Sequence, residues 1–362
     1  MQLLITCPFG LVSLLSKELK KLGYTAKETF STALMLETDL EGLYRINLWS
    51  RIANKVYLIL GQGEILDFDQ LFDKVGSLSW REYISDFNTL SVQVSTKDSL
   101  LSFGRSIQSV AHKAILNSLG DFSSSRSGIS EVFLYLEKNQ MSICVNTSGP
   151  SLHQRGWRKQ TGIAPLKENI AAAIVLFTGW RFKSPLRDPC CGSGTILIEA
   201  AMIAKNIAPG MQRNFAFQSF ATFDAELRGT LVEEATSKIY QQNYLLYGSD
   251  QDATLLQIAQ ENALRAGVSE SIQRTEGKFE EQQTPFSEQF RLISNPPYGK
   301  RIGSEEDLAP LYESLLQTIS VHQGGIISSY PGLKQLFSSK EFSHKSLYNG
   351  ADLVDFYRKK PC

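Results

Sequence analysis

The sequence predicts an α/β protein: a carboxyl-terminal, doubly wound and mostly parallel sheet preceded by α+β modules. Three observations carry this expectation. Beyond residue 160, helical periodicities alternate with short β-type runs, the order of a parallel sheet with helices on both faces. Before residue 150, helices and strands alternate and end in a hairpin, Glu131 to Glu137 and Met141 to Asn146, the order of an α+β module. Between the halves lies a run of turn formers, Thr147-Ser148-Gly149-Pro150-Ser151.

In chain order, a strand from Leu3 to Cys7 precedes a helix from Leu11 to Leu22. Leu11, Leu14, Leu15, Leu19 and Leu22 recur at helical spacing, and Gly23 ends the helix. A strand at Thr32 to Glu37 and a helix at Asp39 to Leu48 follow. The next module reads strand (Val56 to Gly61), helix (Phe68 to Val75), strand (Thr89 to Ser95), helix (Ser102 to Leu119) and the hairpin. A polar loop from Asp121 to Gly128 leads into that hairpin.

The carboxyl-terminal half begins with a helix at Glu168 to Thr178, a strand at Leu186 to Asp188 and a helix at Thr195 to Ala204. Residues 206–221 fit no regular element, and Leu227 to Gln242 is helical. Strands are expected at Tyr244 to Asp250, Phe290 to Ser294 and Gly325 to Ser329. Helices are expected at Ala253 to Ala266 and Leu311 to Val321, with β-type segments from Lys345 to Arg358.

Composition narrows the function. The 362 residues are 42% hydrophobic and 20% charged with zero formal net charge. A chain that gripped a long duplex by phosphate neutralisation alone would be basic. Five scattered cysteines and four scattered histidines show neither a disulfide framework nor a zinc-ligand spacing, so no metal is expected. The amino terminus lacks the basic start and the apolar length of a signal peptide. No apolar run is long enough to span a bilayer, so no membrane partner is expected and the cytoplasm is the default compartment.

The chemistry centres on Asp188-Pro189-Cys190-Cys191-Gly192-Ser193-Gly194-Thr195, a strand end, a glycine turn and a helix start. Glycines let the backbone bend and let a ligand lie against it without meeting a Cβ. At the carboxyl end of a strand in an open α/β sheet, such a turn suits a nucleotide-like ligand. Asp250, 62 residues beyond Asp188, ends the next strand, where a carboxylate accepts hydrogen bonds from vicinal ribose hydroxyls. A βαβ unit needs about 30 residues, so residues 205–240 read as an insertion. Leu197 stands where a dinucleotide fingerprint needs its third glycine. An adenosine without phosphates, such as S-adenosylmethionine, therefore fits better than a dinucleotide.

The second motif is Asn295-Pro296-Pro297-Tyr298. The asparagine oxygen can accept from an exocyclic amine, and the carbonyl beside a proline is left free to accept a second bond. Two acceptors on one NH₂ aim its lone pair at an incoming methyl group. Tyr298 offers a ring against which an extruded base can stack. Gly299 allows close approach, and Lys300-Arg301 stand within reach of a phosphate. Upstream, Arg155-Gly156-Trp157-Arg158-Lys159 clusters cations around a tryptophan, a composition suited to single-stranded nucleic acid or to an ordinary exposed linker.

On these residues, 155–357 resembles the class I S-adenosylmethionine-dependent RNA methyltransferases that modify the exocyclic N2 of guanine. The resemblance extends through Arg155-Gly156-Trp157-Arg158, Ala164 to Glu168, the glycine loop, Asn206 to Gly210, and Gly248-Ser249-Asp250 with Asp252. It continues through Asn262-Ala263, Asn295 to Gly299, and Leu347-Tyr348-Asn349-Gly350. Residues 1–150, with Asn47 to Arg51, resemble the ferredoxin-like part and THUMP domain that precede it in large-subunit ribosomal RNA guanine-N2 methyltransferases.

The resemblance implies a ferredoxin-like part over 1–52, a THUMP RNA-binding domain over 53–150 and a Rossmann-like methyltransferase domain over 155–362. It implies S-adenosylmethionine bound by Asp188, Cys190, Gly192, Gly194, Thr195, Asp250 and Asp252. Catalysis would fall to Asn295, Pro296 and Tyr298, and RNA contact to Arg155, Trp157, Arg158, Lys159, Lys300 and Arg301. RNA is the implied partner, ribosomal before transfer RNA. An adenine-N6 methyltransferase and a non-catalytic RNA-binding assembly factor stay open. Near Gly277 the family tends to place an aspartate on the adenine amine; this chain has Lys278, with Glu276 or Glu280 as substitutes.

Overall fold

The computed structural model describes residues 1–84, 87–121, 128, 130–160, 165–279, 289–298 and 305–360. The chain divides into two compact units. Met1–Cys7, Ser16–Leu152 and Arg213–Glu233 form the first; Pro8–Leu15, His153–Gln212 and Glu234–Cys362 form the second.

The first unit is built on one seven-stranded sheet. Its strands are β1 (Gln2–Thr6), β2 (Lys27–Phe30), β3 (Ala33–Glu37), β4 (Lys55–Glu64), β5 (Ser91–Lys97), β6 (Glu131–Glu137) and β7 (Gln140–Asn146), in the order β2-β3-β1-β4-β7-β6-β5. The division near residue 52 falls inside this continuous sheet, because β4 pairs with β1 on one side and with β7 on the other. Alternation decides its faces. Val132, Leu134 and Leu136 are fully buried, whereas the residues between them are only partly so. Helices α3 (Phe68–Gly76) and α4 (Gly104–Leu119) contribute Leu71, Val75, Ile107, Ala111 and Ile115 to the core that holds these strand residues. Helices α1 (Val12–Lys21) and α2 (Leu40–Trp49) precede them.

The turn run 147–151 is pinned rather than loose. Buried Asn47 on α2 donates to Thr147 Oγ1 at 3.0 Å and accepts from Ser148 Oγ at 2.6 Å. From Arg213 onward, the segment that fitted no regular structure also belongs to this unit. Arg213 donates to the carbonyls of Ser148 (2.9 Å), Ser151 (2.8 Å) and Pro150 (2.5 Å), and the Phe217 ring stacks on Tyr44 at 4.2 Å. Arg213→Ala leaves those carbonyls short of donors, at about 1–3 kcal/mol for a buried group. The expected result is a matching loss of stability in urea unfolding followed by tryptophan fluorescence.

The second unit carries another seven-stranded sheet: β8 (Leu186–Asp188), β9 (Leu246–Asp250), β10 (Ile272–Glu276), β11 (Arg291–Ser294), β12 (Gly324–Ser328), β13 (Phe342–Asn349) and β14 (Asp352–Lys359). The order is β10-β9-β8-β11-β12-β14-β13, parallel except for β14. Helices α5 (Glu168–Phe177), α6 (Thr195–Ala204) and α8 (Ala253–Arg265) accompany the β8 half, and α9 (Glu305–His322) the other; α7 (Ala225–Ser237) precedes β9. α5 and α6 are apolar almost all round and buried, as central helices must be. This is the doubly wound fold expected. The chain runs from β8 outward to β10 and then returns to the opposite side of β8 with β11. The crevice between the carboxyl ends of β8 and β11 is therefore the switch point where such sheets hold ligands.

Candidate active site

Both motifs lie at that crevice. Asp188 ends β8 and is 1% exposed; Asn295 directly follows β11. The two strand ends are tied by Ser294 Oγ, which donates to Asp188 Oδ1 at 2.7 Å. The backbone N–H of Cys190 donates to the same oxygen at 3.3 Å. Burial pushes the Asp188 carboxyl up to about 7, against the pull of these two donors, and the Asp250 charge adds to the rise.

The glycine loop is closed on the acid of the next strand. Gly192 N–H donates to Asp250 Oδ2 at 2.9 Å, and Cys191 N–H to the Ser249 carbonyl at 2.9 Å. Gly194 takes a left-handed φ of +83°, and a Cβ there would lie 3.1 Å from Ala259 Cβ on α8. Its glycine serves helix packing. Gly192 also has a left-handed φ, +51°, yet a Cβ there would meet nothing within 4 Å. That open space lies beside Asp250, where a ligand can approach the backbone. Gly248 is needed for another reason: a Cβ would come within 2.6 Å of Leu197 and 3.0 Å of Cys191 Sγ. Cys191 is buried and its thiol is pushed well up by that burial, which suits packing and not nucleophilic chemistry.

Asp250 keeps acceptor capacity beyond Gly192. Its Oδ1 takes the Asp252 N–H at 3.1 Å, and burial raises the carboxyl against these bonds. Asp252 itself caps α8, accepting from Thr254 N–H at 2.8 Å. Lys278 and Glu276 are both exposed, Glu276 paired across β10 with Asp250; Glu280 lies outside the described residues.

The loop after β11 is braced from below. Tyr312 on α9, wholly buried, donates to the Pro297 carbonyl at 3.1 Å and shares a 2.5 Å hydrogen bond with Ser328 at the end of β12. The Tyr330 ring stacks on Tyr312 at 4.4 Å. Pro296 is buried, while Asn295 and Tyr298 are partly exposed. Sequence reasoning missed Ser294, Tyr312 and Ser328. The signal for Ser294 was a hydroxyl directly before Asn295, following the apolar Leu292-Ile293.

The cluster at 155–159 needs correcting. An exposed linker suited to RNA was one expectation, but Arg155 and Trp157 are each 1% exposed. Arg155 Nε lies 3.1 Å from Glu199 Oε1 inside α6, and Arg265 Nε donates to the Trp157 carbonyl at 2.9 Å. Arg158 is half-buried and donates to Thr195 Oγ1 (2.6 Å) and to the Leu166 carbonyl (3.0 Å), with Glu168 3.2 Å from its Nε. Arg158 braces the first turn of α6 beside the glycine loop, and Arg155 braces the turn after it. Among the cluster's side chains only that of Lys159 is exposed. Asn262 adds a second brace, donating to the Ser193 carbonyl at 3.2 Å. Lys300 and Arg301 lie outside the described residues.

Comparison with known proteins decides the family. Residues 155–353 match the RMKL-like methyltransferase domain, and residues 2–57 match the RlmL ferredoxin-like domain. The chain belongs to the RMKL-like methyltransferase family. It is 32% identical over 370 residues to the putative RNA methyltransferase YpsC of Bacillus subtilis, covering 98% of this chain and 95% of that one. It is 33% identical over 360 residues to the ribosomal RNA large subunit methyltransferase K/L of Shewanella oneidensis. That match covers 95% of this chain but only 50% of the relative, so the chain spans about half its length. Among solved structures, SMU.472, described as a putative methyltransferase complexed with SAH, superposes with a TM-score of 0.87 at 30% identity. It covers 99% of this chain and 97% of that one. The matched range, 155–353, contains the glycine loop, the acid of β9 and the Asn-Pro-Pro-Tyr loop. Among the described residues no group of histidine, cysteine and carboxylate side chains could hold a metal, and no helix is long and apolar enough to cross a membrane.

Proposed function

We propose that this chain transfers a methyl group from S-adenosylmethionine to the exocyclic N2 of a guanine in large-subunit ribosomal RNA. The observation that carries the reading is the 2.7 Å bond from Ser294 to Asp188, which joins the cofactor-type loop to the Asn-Pro-Pro-Tyr loop. The SAH found with SMU.472 and the naming of the K/L relative as a ribosomal RNA methyltransferase support the cofactor and the polymer.

The residues fit the cofactor. Gly192 leaves open space beside the backbone, and Asp250 has acceptor capacity for ribose hydroxyls. Buried Asp188 offers a carboxylate to the methionine ammonium. The cofactor supplies an electrophilic methyl on a sulfonium. The Asn295 side-chain oxygen and the Pro296 carbonyl hold the amine so that its lone pair meets that carbon in line. Displacement there would leave the C–S electron pair on sulfur and pass the amine proton to water. No general base is required, and positioning supplies much of the rate. Tyr298 stacks on the extruded base. Residues 53–150, read as a THUMP domain, and Lys159, Lys300 and Arg301 contact the RNA.

The polymer is tested by incubating the protein with methyl-labelled cofactor and, separately, unmodified ribosomal and transfer RNA. Label in ribosomal RNA is expected; label confined to transfer RNA would contradict the substrate assignment.

The Asp188 carboxyl also sets a pH dependence. A cationic ligand prefers the ionised carboxylate. Cofactor affinity should therefore fall as pH drops through about 7 and level off above it, at most about tenfold per pH unit. Stability moves oppositely. The folded carboxyl holds its proton from the ordinary 3.8 up to about 7, while the unfolded one does not. Its contribution to stability thus falls as pH rises across that window. Calorimetric titration between pH 6 and pH 8 checks the first trend, and Asp188→Asn should abolish it.

A further inference from the structure

One recognised motif, Leu347-Tyr348-Asn349-Gly350, has no part in the chemistry above. β13 runs parallel to β12, so its carboxyl end rises at the same edge of the sheet as Asp188, Asn295 and Ser328. The strand register carries Ser294 across Ile326 and Tyr357 to the level of His344, and Tyr348 stands four residues beyond that level. Three strand spacings, about 14 Å, separate β13 from β11, and the four-residue rise adds about 13 Å along the strand, so Tyr348 lies about 19 Å from Ser294. A short stretch of single strand would span that distance.

Tyr348 is 42% exposed, and Phe9 beside it is 48% exposed, although Leu347 next to Tyr348 is wholly buried. The two rings meet edge to face at 6.0 Å. Both belong to the second unit, which includes Pro8–Leu15. The pair is held by specific contacts. Asn349 Oδ1 accepts the Lys167 N–H at 3.0 Å, and its amide donates to the Pro165 carbonyl at 3.4 Å. Gly10, at a φ of +83°, lets the Phe9 loop lie on β13: a Cβ there would come within 2.8 Å of the Ser346 carbonyl. Lys167 brings its Cε to the Gly350 turn, two residues beyond Tyr348, 4.0 Å from where a Cβ would stand.

The geometry points to Phe9 and Tyr348 as a stacking platform for an unpaired RNA base flanking the target guanine, with Lys167 facing its phosphate. The inference rests on the proposed RNA methyltransferase reading for its occupant. Exposed rings on the catalytic edge of the sheet, with a lysine stem at the next turn, suit single-stranded RNA: bases stack on aromatic faces, and cations track the backbone.

The test uses the full chain with SAH and an unstructured, fluorophore-labelled RNA oligonucleotide, alongside methylation of ribosomal RNA. Tyr348→Ala and Phe9→Ala should each weaken oligonucleotide binding and raise the RNA KM by about 10- to 100-fold. Cofactor affinity and melting temperature should hold. Tyr348→Phe should bind as the natural protein does, whereas Tyr348→Leu, which keeps apolar cover without a ring, should be as weak as Tyr348→Ala. Folded Tyr348→Leu with normal RNA binding would overturn the platform, even if the natural protein methylates ribosomal RNA. Loss of oligonucleotide binding in the variants of a protein that methylates no RNA would uphold the platform and refute the proposed reaction.

Discussion

Asn295→Ala should reduce single-turnover methyl transfer by about 10²–10³, the usual effect of losing one oriented polar group at a reacting centre. Asn295 follows β11 at the switch point, next to Ser294, which bonds the buried Asp188. Its proposed partner is the base amine, so cofactor affinity should stay within about twofold, as expected when an interaction made only in the transition state is removed. Tyr298→Ala should act on the same step through the lost ring, and Tyr298→Phe should be tolerated. A turn with no chemical role predicts otherwise: activity would fall only with the folded fraction. Thermal melting, cofactor titration and single-turnover assay on the same variants separate the two.

Asp250→Ala should weaken S-adenosylmethionine binding by about 1.5–3 kcal/mol, the range for hydrogen bonds to a charged group. The carboxylate has two tasks. It holds Gly192 N–H at 2.9 Å, fixing the glycine loop, and it keeps acceptor capacity for the ribose. Asp250→Asn separates them, since an amide oxygen can still take the Gly192 N–H but has no charge. Calorimetry should place Asn between the natural residue and Ala. Equal affinity in all three would mean that the ribose lies elsewhere. Asp252 would then be the next candidate, because its Oδ1 caps α8 while the exposed carboxylate has a second oxygen to offer.

Much of this was legible in the sequence because burial and periodicity agreed. β8, α6, β9 and β11 were all foreseen, and they carry both motifs. β2 and β10 were not. β2 is Lys-Glu-Thr-Phe with three exposed residues, and β10 buries little beyond Ile272. Both are edge strands, without the apolar alternation that marks a strand with a buried face. α9 was expected to begin after Pro310 but starts at Glu305, so the proline sits in its second turn. The helix tolerates one missing backbone bond while Leu308, Tyr312, Leu315 and Ile319 bury a full stripe.

Side-chain direction was the harder problem. Arg155-Gly156-Trp157-Arg158 has the composition of a nucleic-acid contact, yet Glu199 and Glu168 turn its arginines inward. Those carboxylates lie in helices, Glu168 10 residues after Arg158 and Glu199 44 residues after Arg155, beyond any local pattern. Arg213 and Phe217 were illegible for the same reason: their partners, Ser148 to Ser151 and Tyr44, precede them by tens of residues.

Nucleoside analysis of RNA methylated by the purified protein tests the central claim most directly. Ribosomal RNA labelled from methyl-labelled S-adenosylmethionine is digested, and the labelled nucleoside is identified by chromatography and mass spectrometry. N2-methylguanosine is the predicted product, and Asn295→Ala should yield almost none. Label in N6-methyladenosine would keep the amine-orienting loop but contradict the base assignment, and a cofactor-binding protein that labels no RNA at all would contradict the reaction itself.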